Sequence, residues 1–212
     1  MNSGISPISF TVIVAMFLVL AAPAQVVAEE KVSFEAMIKS VKQDPSSVDY
    51  TALRMAWAEY EGYDPLFFVS DEYKQSVDEI YKAEKSGSLV NVRRLCVDHF
   101  DKYFVDIAWN ATCALAYRSF DSNAEEDFHT AIMRGLGDSV FSSGDGQSPE
   151  TAFVLVSLSE ERFVLHVLGV KKLYQALTEH NGKPYDMWSV EDPKTGNEGS
   201  VYFDIERPYS AY

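Results

Sequence analysis

Residues 142–158 read SSGDGQSPETAFVLVSL, and the character of the chain changes across them. Gly144-Asp145-Gly146-Gln147-Ser148-Pro149 is a loop by composition, with a glycine placed to end a helix and residues that favour a tight turn. Ala152–Leu158 is a short apolar run of β character. Before this stretch, apolar residues recur at helical spacing; after it, they fall into strand-length runs. Helices first and strands afterwards predict an α+β fold rather than the alternation of a parallel α/β sheet.

Upstream, the helical period runs from about Val32 to Ser143. Val32–Lys42 carries Phe34, Ile38 and Val41 on one face and stops at Asp44-Pro45. Ser47 or Asp49 is placed to cap a second helix over Tyr50–Glu61, closed by Gly62 and Asp64-Pro65. A third is expected over Asp71–Lys85, ended by Gly87-Ser88. Three more follow at about Leu89–Tyr103, Ile107–Phe120 and Asn123–Phe141. The turns at Gly87-Ser88 and Asp121-Ser122 are spaced by the 34-residue period of a tetratricopeptide repeat, and Ala114 and Tyr117 sit at suitable positions. Val92, Glu126 and Phe104 depart from that repeat. The residues therefore fit either tetratricopeptide-like antiparallel hairpins or a plain helical bundle.

Downstream, Ser157 or Ser159 followed by Glu160-Glu161 predicts a capped short helix over about Glu160–Leu168, stopped by Gly169. Strand-like runs follow at Val170–Thr178, Tyr185–Glu191 and Gly199–Glu206. Asn181-Gly182 favours a hairpin turn between the first two, and Asp192–Glu198 joins the last two. Sequential strands with short turns predict a small antiparallel β meander carrying one short helix.

Composition bounds the function. The chain has 212 residues, 47% hydrophobic and 24% charged, which is enough to build a core. Lys and Arg total 18 against 32 Asp and Glu, a net charge of −14, which argues against binding nucleic acid through bulk charge. No charged side chain precedes Glu29, and Val12–Ala22 is an unbroken apolar run of signal-peptide length. Small residues suit cleavage after Ala28, so residues 1–28 are expected to be a signal peptide, with an uncleaved anchor as the alternative. The organisation expected is then 1–28 signal peptide, 29–143 helical region and 144–212 β-rich region packed on it as one compact domain. Export, to the periplasm or beyond, follows, with no stable membrane span after cleavage. It places Cys96 and Cys113 in an oxidising compartment, where they form either a structural disulfide or two buried thiols. Their separation fits neither a redox pair nor a zinc-ligand pair.

The mature chain resembles domain of unknown function family 4919, found in exported bacterial proteins. The resemblance rests on Asp49-Tyr50-Thr51-Ala52-Leu53-Arg54, on Phe128-His129-Thr130-Ala131-Ile132, and on Ser143–Phe153. It continues through Glu160–Gly169, Glu191-Asp192-Pro193-Lys194-Thr195-Gly196 and Tyr202-Phe203-Asp204-Ile205. The resemblance implies a tetratricopeptide-like helical half before a small β half, and it implies no reaction.

Chemistry is sparse in the residues. His129 follows Glu125 and Glu126 on one helix face, but only one Glu-x-x-His copy occurs, so no metal site and no cofactor are expected. Among so many carboxylates, sequence alone selects no catalytic pair. Asn110-Ala111-Thr112 is a glycosylation sequon set mid-helix. Tyr60, Tyr63, Phe67 and Phe68 cluster beside Pro65 as candidates to line a ligand groove, with core packing as the alternative use. The leading expectation is a non-enzymatic module that binds a peptide or envelope protein, an acidic groove favouring basic or mixed-charge ligands. An enzyme with His129 as general base beside Asp145 or Glu150 of the loop is the alternative, and a structural oligomer subunit is a third.

Overall fold

The computed structural model describes residues 33–211. These lie in the unit Val32–Tyr212. The expected signal peptide falls outside the described residues.

Polar caps start most of the helices. Ser33 accepts from Ala36 N to open α1 (Phe34–Gln43), and Asp49 accepts from Thr51 N and Ala52 N to open α2 (Tyr50–Ala58). Ser70 does the same for α3 (Asp71–Lys85) and Ser88 for α4 (Leu89–Asp98). The single helix expected over Leu89–Tyr103 breaks at His99, after which α5 (Phe100–Tyr103) is one turn. That break lets Phe100, Tyr103 and Phe104 enter the core alongside Leu95 and Cys96. Asp106, 1% exposed, caps α6 (Ile107–Arg118) through Trp109 N and also accepts from Tyr73 Oη and Ser159 Oγ. α6 buries Ile107, Trp109, Asn110, Cys113, Ala116 and Tyr117, so it is the central helix, and α7 (Asn123–Phe141) lies against it. Because Asn110 is wholly buried, its sequon is inaccessible in the folded chain.

The two interhelical turns 34 residues apart close in the same way. Gly87 and Asp121 both take positive φ, at 72° and 54°. Ser88 N then donates to Ala83 O and Ser122 N to Tyr117 O, at 2.9 and 3.2 Å. Both are helix C-caps in which the left-handed residue turns the chain back to an orphan carbonyl.

The loop 144–151 is rigid for local reasons. Asp145 N and Gly146 N both donate to Thr151 O, and Asp145 Oδ1 accepts from Thr151 Oγ1 and Gln147 N. A Cβ on Gly144 would lie 2.3 Å from Thr151 O, so only glycine fits. After the loop, β1 is only Phe153–Val154. The remainder of the expected apolar strand dives into the core, with Leu155 and Val156 buried and Val156 N taken by a Glu160 carboxylate rather than by a strand.

Helix α8 (Leu158–Leu168) follows, ended by Gly169 at φ 64°. Then come β2 (Lys171–His180), β3 (Lys183–Glu191), β4 (Glu198–Asp204) and α9 (Glu206–Ser210). The sheet order is β1-β4-β3-β2. β2, β3 and β4 form the antiparallel meander, its first turn made by Asn181 and Gly182 at φ 52° and 79°. Outside that meander, β1 returns to pair parallel with β4, so the sheet as a whole is mixed. The fold is α+β, helices first.

One buried ion pair ties the two halves together. Arg54 Nε and Nη2 donate to Glu160 Oε1 and Oε2, each at 2.8 Å, with exposures of 0% and 1%. Arg54 Nη1 reaches Ser139 Oγ and Nη2 reaches Val154 O. Glu160 in turn accepts from Val156 N. With that fork satisfied, α2, α7, β1 and α8 are locked in one register.

Candidate functional site

The site begins with adjacent residues of α8. Ser157 caps this helix through Ser159 N and anchors it by donating to Pro65 O. Glu160 and Glu161, in the first turn of this helix, are both buried. A hundred-degree step per residue sends them in different directions. Glu160 goes to Arg54, and Glu161 goes to the sheet.

There Glu161 Oε1 accepts from Trp188 Nε1 at 2.8 Å. Its Oε2 is buried without a donor, and the Asp186 carboxyl of β3 stands beside it. Asp186 and Trp188 are two apart on β3 and so share the face toward α8. Both carboxylic groups are about 6% exposed and line a cavity of about 550 Å³ between α8 and the sheet. Phe68 and Leu165 supply apolar walls, and Arg162, Lys172 and Gln175 supply polar ones. Burial, then the neighbouring Asp186 charge, push the Glu161 carboxyl up to about 8, against the pull of Trp188 N–H and Arg162. Two acceptors side by side with no donor between them require a proton, so Glu161 holds one at neutral pH and its Oε2–H faces Asp186. Arg162 lies over the Phe68 ring at 4.7 Å, and Lys172 Nζ lies 5.5 Å from the Trp188 ring centroid. The cavity therefore has a carboxyl pair at its base and cations on its walls.

The residues selected from sequence are dispersed. His129 is 4% exposed, its Nδ1 is 2.9 Å from Asn110 Oδ1, and its ring stacks on Tyr117. Burial holds it down at about 4, so it is neutral. Asp145 is held by Thr151 and Gln147 inside its own loop, and Glu150 pairs with His180 at 2.9 Å. The expected pairing of His129 with Asp145 or Glu150 is thus corrected: each has a different partner, because α7 turns His129 inward toward α6. Glu126 and Glu125 face Arg118 and Arg93 instead of assisting His129. The aromatic corner also divides. Phe67 packs among Trp57, Tyr73 and Tyr103, and Tyr63 lies edge-on to Trp57 while donating to Val156 O. Tyr60 is 40% exposed and packs at a tilt against Phe34 in a separate cleft. Of the four, Phe68 alone lines the carboxyl cavity. Cys96 and Cys113 form a disulfide, Cα atoms 6.0 Å apart, joining α4 to α6.

Sequence reading missed Glu161, Asp186 and Trp188 because Glu161 lies 25 and 27 residues from the other two and the three carry no spacing motif. The one local signal was Asp186 inside an otherwise apolar strand run.

The fold defines an α+β protein with a carboxyl-lined cleft where its short helix meets the sheet. The family model for a domain of unknown function, DUF4919, matches residues 31–212, and the chain belongs to that family. No curated protein matches the chain, and no solved structure does. Several of the family-like stretches have structural duties here: Asp49 caps α2, Arg54 and Glu160 lock the halves, and Gly144 fits where no side chain can.

Proposed function

We propose that this is an exported, non-catalytic binding module that receives a basic side chain of a peptide or envelope protein in the cleft between α8 and the sheet. The observation that carries the reading is the buried pair Glu161–Asp186 under the Trp188 indole, with one carboxylic oxygen lacking any donor. An incoming ammonium or guanidinium supplies the donors that this oxygen lacks and displaces the shared proton. Trp188 offers the ring, and Phe68 and Leu165 cover the alkyl stem. Arg162 and Lys172 then meet carbonyls or acidic neighbours of that side chain, which favours mixed-charge peptides. The net charge of −14 adds long-range attraction for basic ligands that weakens with salt. Tetratricopeptide-like helices would extend the contact, a reading supported by the two matching helix caps.

Trp188 reports on the cleft, because Trp57 and Trp109 are 5% and 0% exposed. A short lysine-containing peptide titrated into residues 29–212 is expected to change tryptophan emission saturably, more tightly at pH 8.5 than at pH 6.5. Asp186→Asn is expected to weaken it about tenfold or more. Equal binding of the peptide with its lysine acetylated, or no response to lysine and arginine peptides alike, refutes the proposal.

A further inference from the structure

We infer that reduction of the Cys96–Cys113 bond converts the cluster of Cys96, Cys113 and His129 into a buried three-donor site for zinc(II). The inference is independent of the carboxyl cleft. One ligand atom from each of the three residues lies within 4.8 Å of the others, and all three residues are buried. They come from α4, α6 and α7, three helices packed together, so the fold brings together donors that no local motif announces.

The histidine's tautomer is already fixed. Asn110 Nδ2 donates to Phe104 O at 2.7 Å and to Asp106 O at 2.9 Å. Both amide hydrogens are thereby used, which fixes Oδ1 as the atom facing His129. Oδ1 can only accept, so His129 Nδ1 carries the hydrogen across the 2.9 Å contact and Nε2 keeps its lone pair. A fixed tautomer with its second nitrogen hydrogen-bonded is the usual support of a metal-bound imidazole.

The sulfurs complete the set. A dithiol reductant gives two electrons and two protons to the bond and becomes a disulfide itself, leaving two thiols on this chain. Zinc then displaces both thiol protons. Two thiolates and one neutral imidazole around a divalent ion make an uncharged unit, which suits an apolar interior. Thiolates on one tetrahedral zinc sit about 3.8 Å apart, so the sulfurs need only relax to contact distance. Access is provided by a cavity of about 490 Å³ lined by Cys96, Phe100, Tyr117, Phe128 and His129, which also leaves room for water as the fourth ligand. In the oxidised chain both sulfurs are spent on each other and the site is closed.

The test uses residues 29–212, reduced with a phosphine that is itself oxidised with oxygen from water, and titrated anaerobically with cobalt(II) as optical probe and then zinc(II). The expected result is one cobalt per reduced chain, with intense tetrahedral visible bands and sulfur-to-metal charge transfer, displaced by zinc. Oxidised protein is the folded control and is expected to take up none. His129→Gln, reduced, is expected to bind more than about 100-fold more weakly. Absence of uptake by a reduced chain that keeps its circular dichroism, equal uptake by oxidised chain, or unchanged affinity in His129→Gln overturns the inference. Should reduction alone unfold the chain, restoration of the native spectrum by zinc supports it and failure to restore overturns it.

Discussion

Replacing Glu161 by Gln isolates the protonation of the buried carboxyl pair. In the folded chain burial and the neighbouring Asp186 charge push the Glu161 carboxyl up to about 8, from an ordinary value near 4.5. Between those values the native state keeps a proton that the unfolded chain has released. Stability from this group is therefore fully present below about 4.5 and is lost as pH rises toward 8. His129 moves oppositely, held at about 4 from 6.5, so its contribution is complete above 6.5. The interval from pH 6.5 to 8.5 thus reads Glu161 with little interference from His129. About 1.5 pH units of the window lie there, and at 1.36 kcal/mol each they amount to about 2 kcal/mol. The side chain is 6% exposed, so solvent screening removes little of this. Glutamine keeps an acceptor for Trp188 Nε1 and gives Asp186 an N–H where the protonated acid gave O–H. Urea unfolding at the two pH values is the assay. Wild type is expected to lose about 2 kcal/mol, roughly 1 M in midpoint, and Glu161→Gln less than about 0.5 kcal/mol. Parallel losses in both proteins would falsify the assignment of the proton to this pair.

Four further outcomes follow. Arg54→Met, leaving the Glu160 carboxylate buried and unpaired, is expected to cost about 3–5 kcal/mol, and pairing it with Glu160→Met should recover much of that in the same denaturation assay. Gly144→Ala should destabilise by more than about 2 kcal/mol, because its Cβ would meet Thr151 O at 2.3 Å, whereas Gly87→Ala, strained only by its φ of 72° with open space around it, should cost about 1 kcal/mol. Between pH 6.5 and 4.5 the loss from His129, which resists protonation, is offset by the opposite trend of Glu161, so wild type is expected to stay nearly flat there. Replacing His129 with a neutral residue should remove the offset, and the variant should gain about 2–3 kcal/mol over that interval as pH falls, in urea titrations. Reducing the Cys96–Cys113 bond with metal chelated should lower stability by about 3 kcal/mol, the loop-closure value for this separation, as measured by the urea midpoint with and without phosphine.

The order of helices and strands was legible in sequence because it depends on local effects. Apolar spacing, Asp49 as a cap, Gly87 and Gly169 as stops, and Asn181-Gly182 as a hairpin turn all act within a few residues. The break at His99 and the parallel return of β1 were not legible, since each is decided by what the segment packs against. The same holds for charge: nothing near Glu160 or Glu161 announces burial, and Arg54 is 106 residues from its partner.

By itself, then, the sequence determined the fold class, the order of the main elements and a loop at Gly144–Pro149. Tertiary structure alone decided which polar residues meet. It separated His129 from Asp145 and Glu150, joined His129 to the two cysteines, and set Glu161 against Asp186 beneath Trp188. The physical reason is range: propensity and capping operate over one or two turns, whereas a site is made by burial, and burial depends on which distant faces the core brings together.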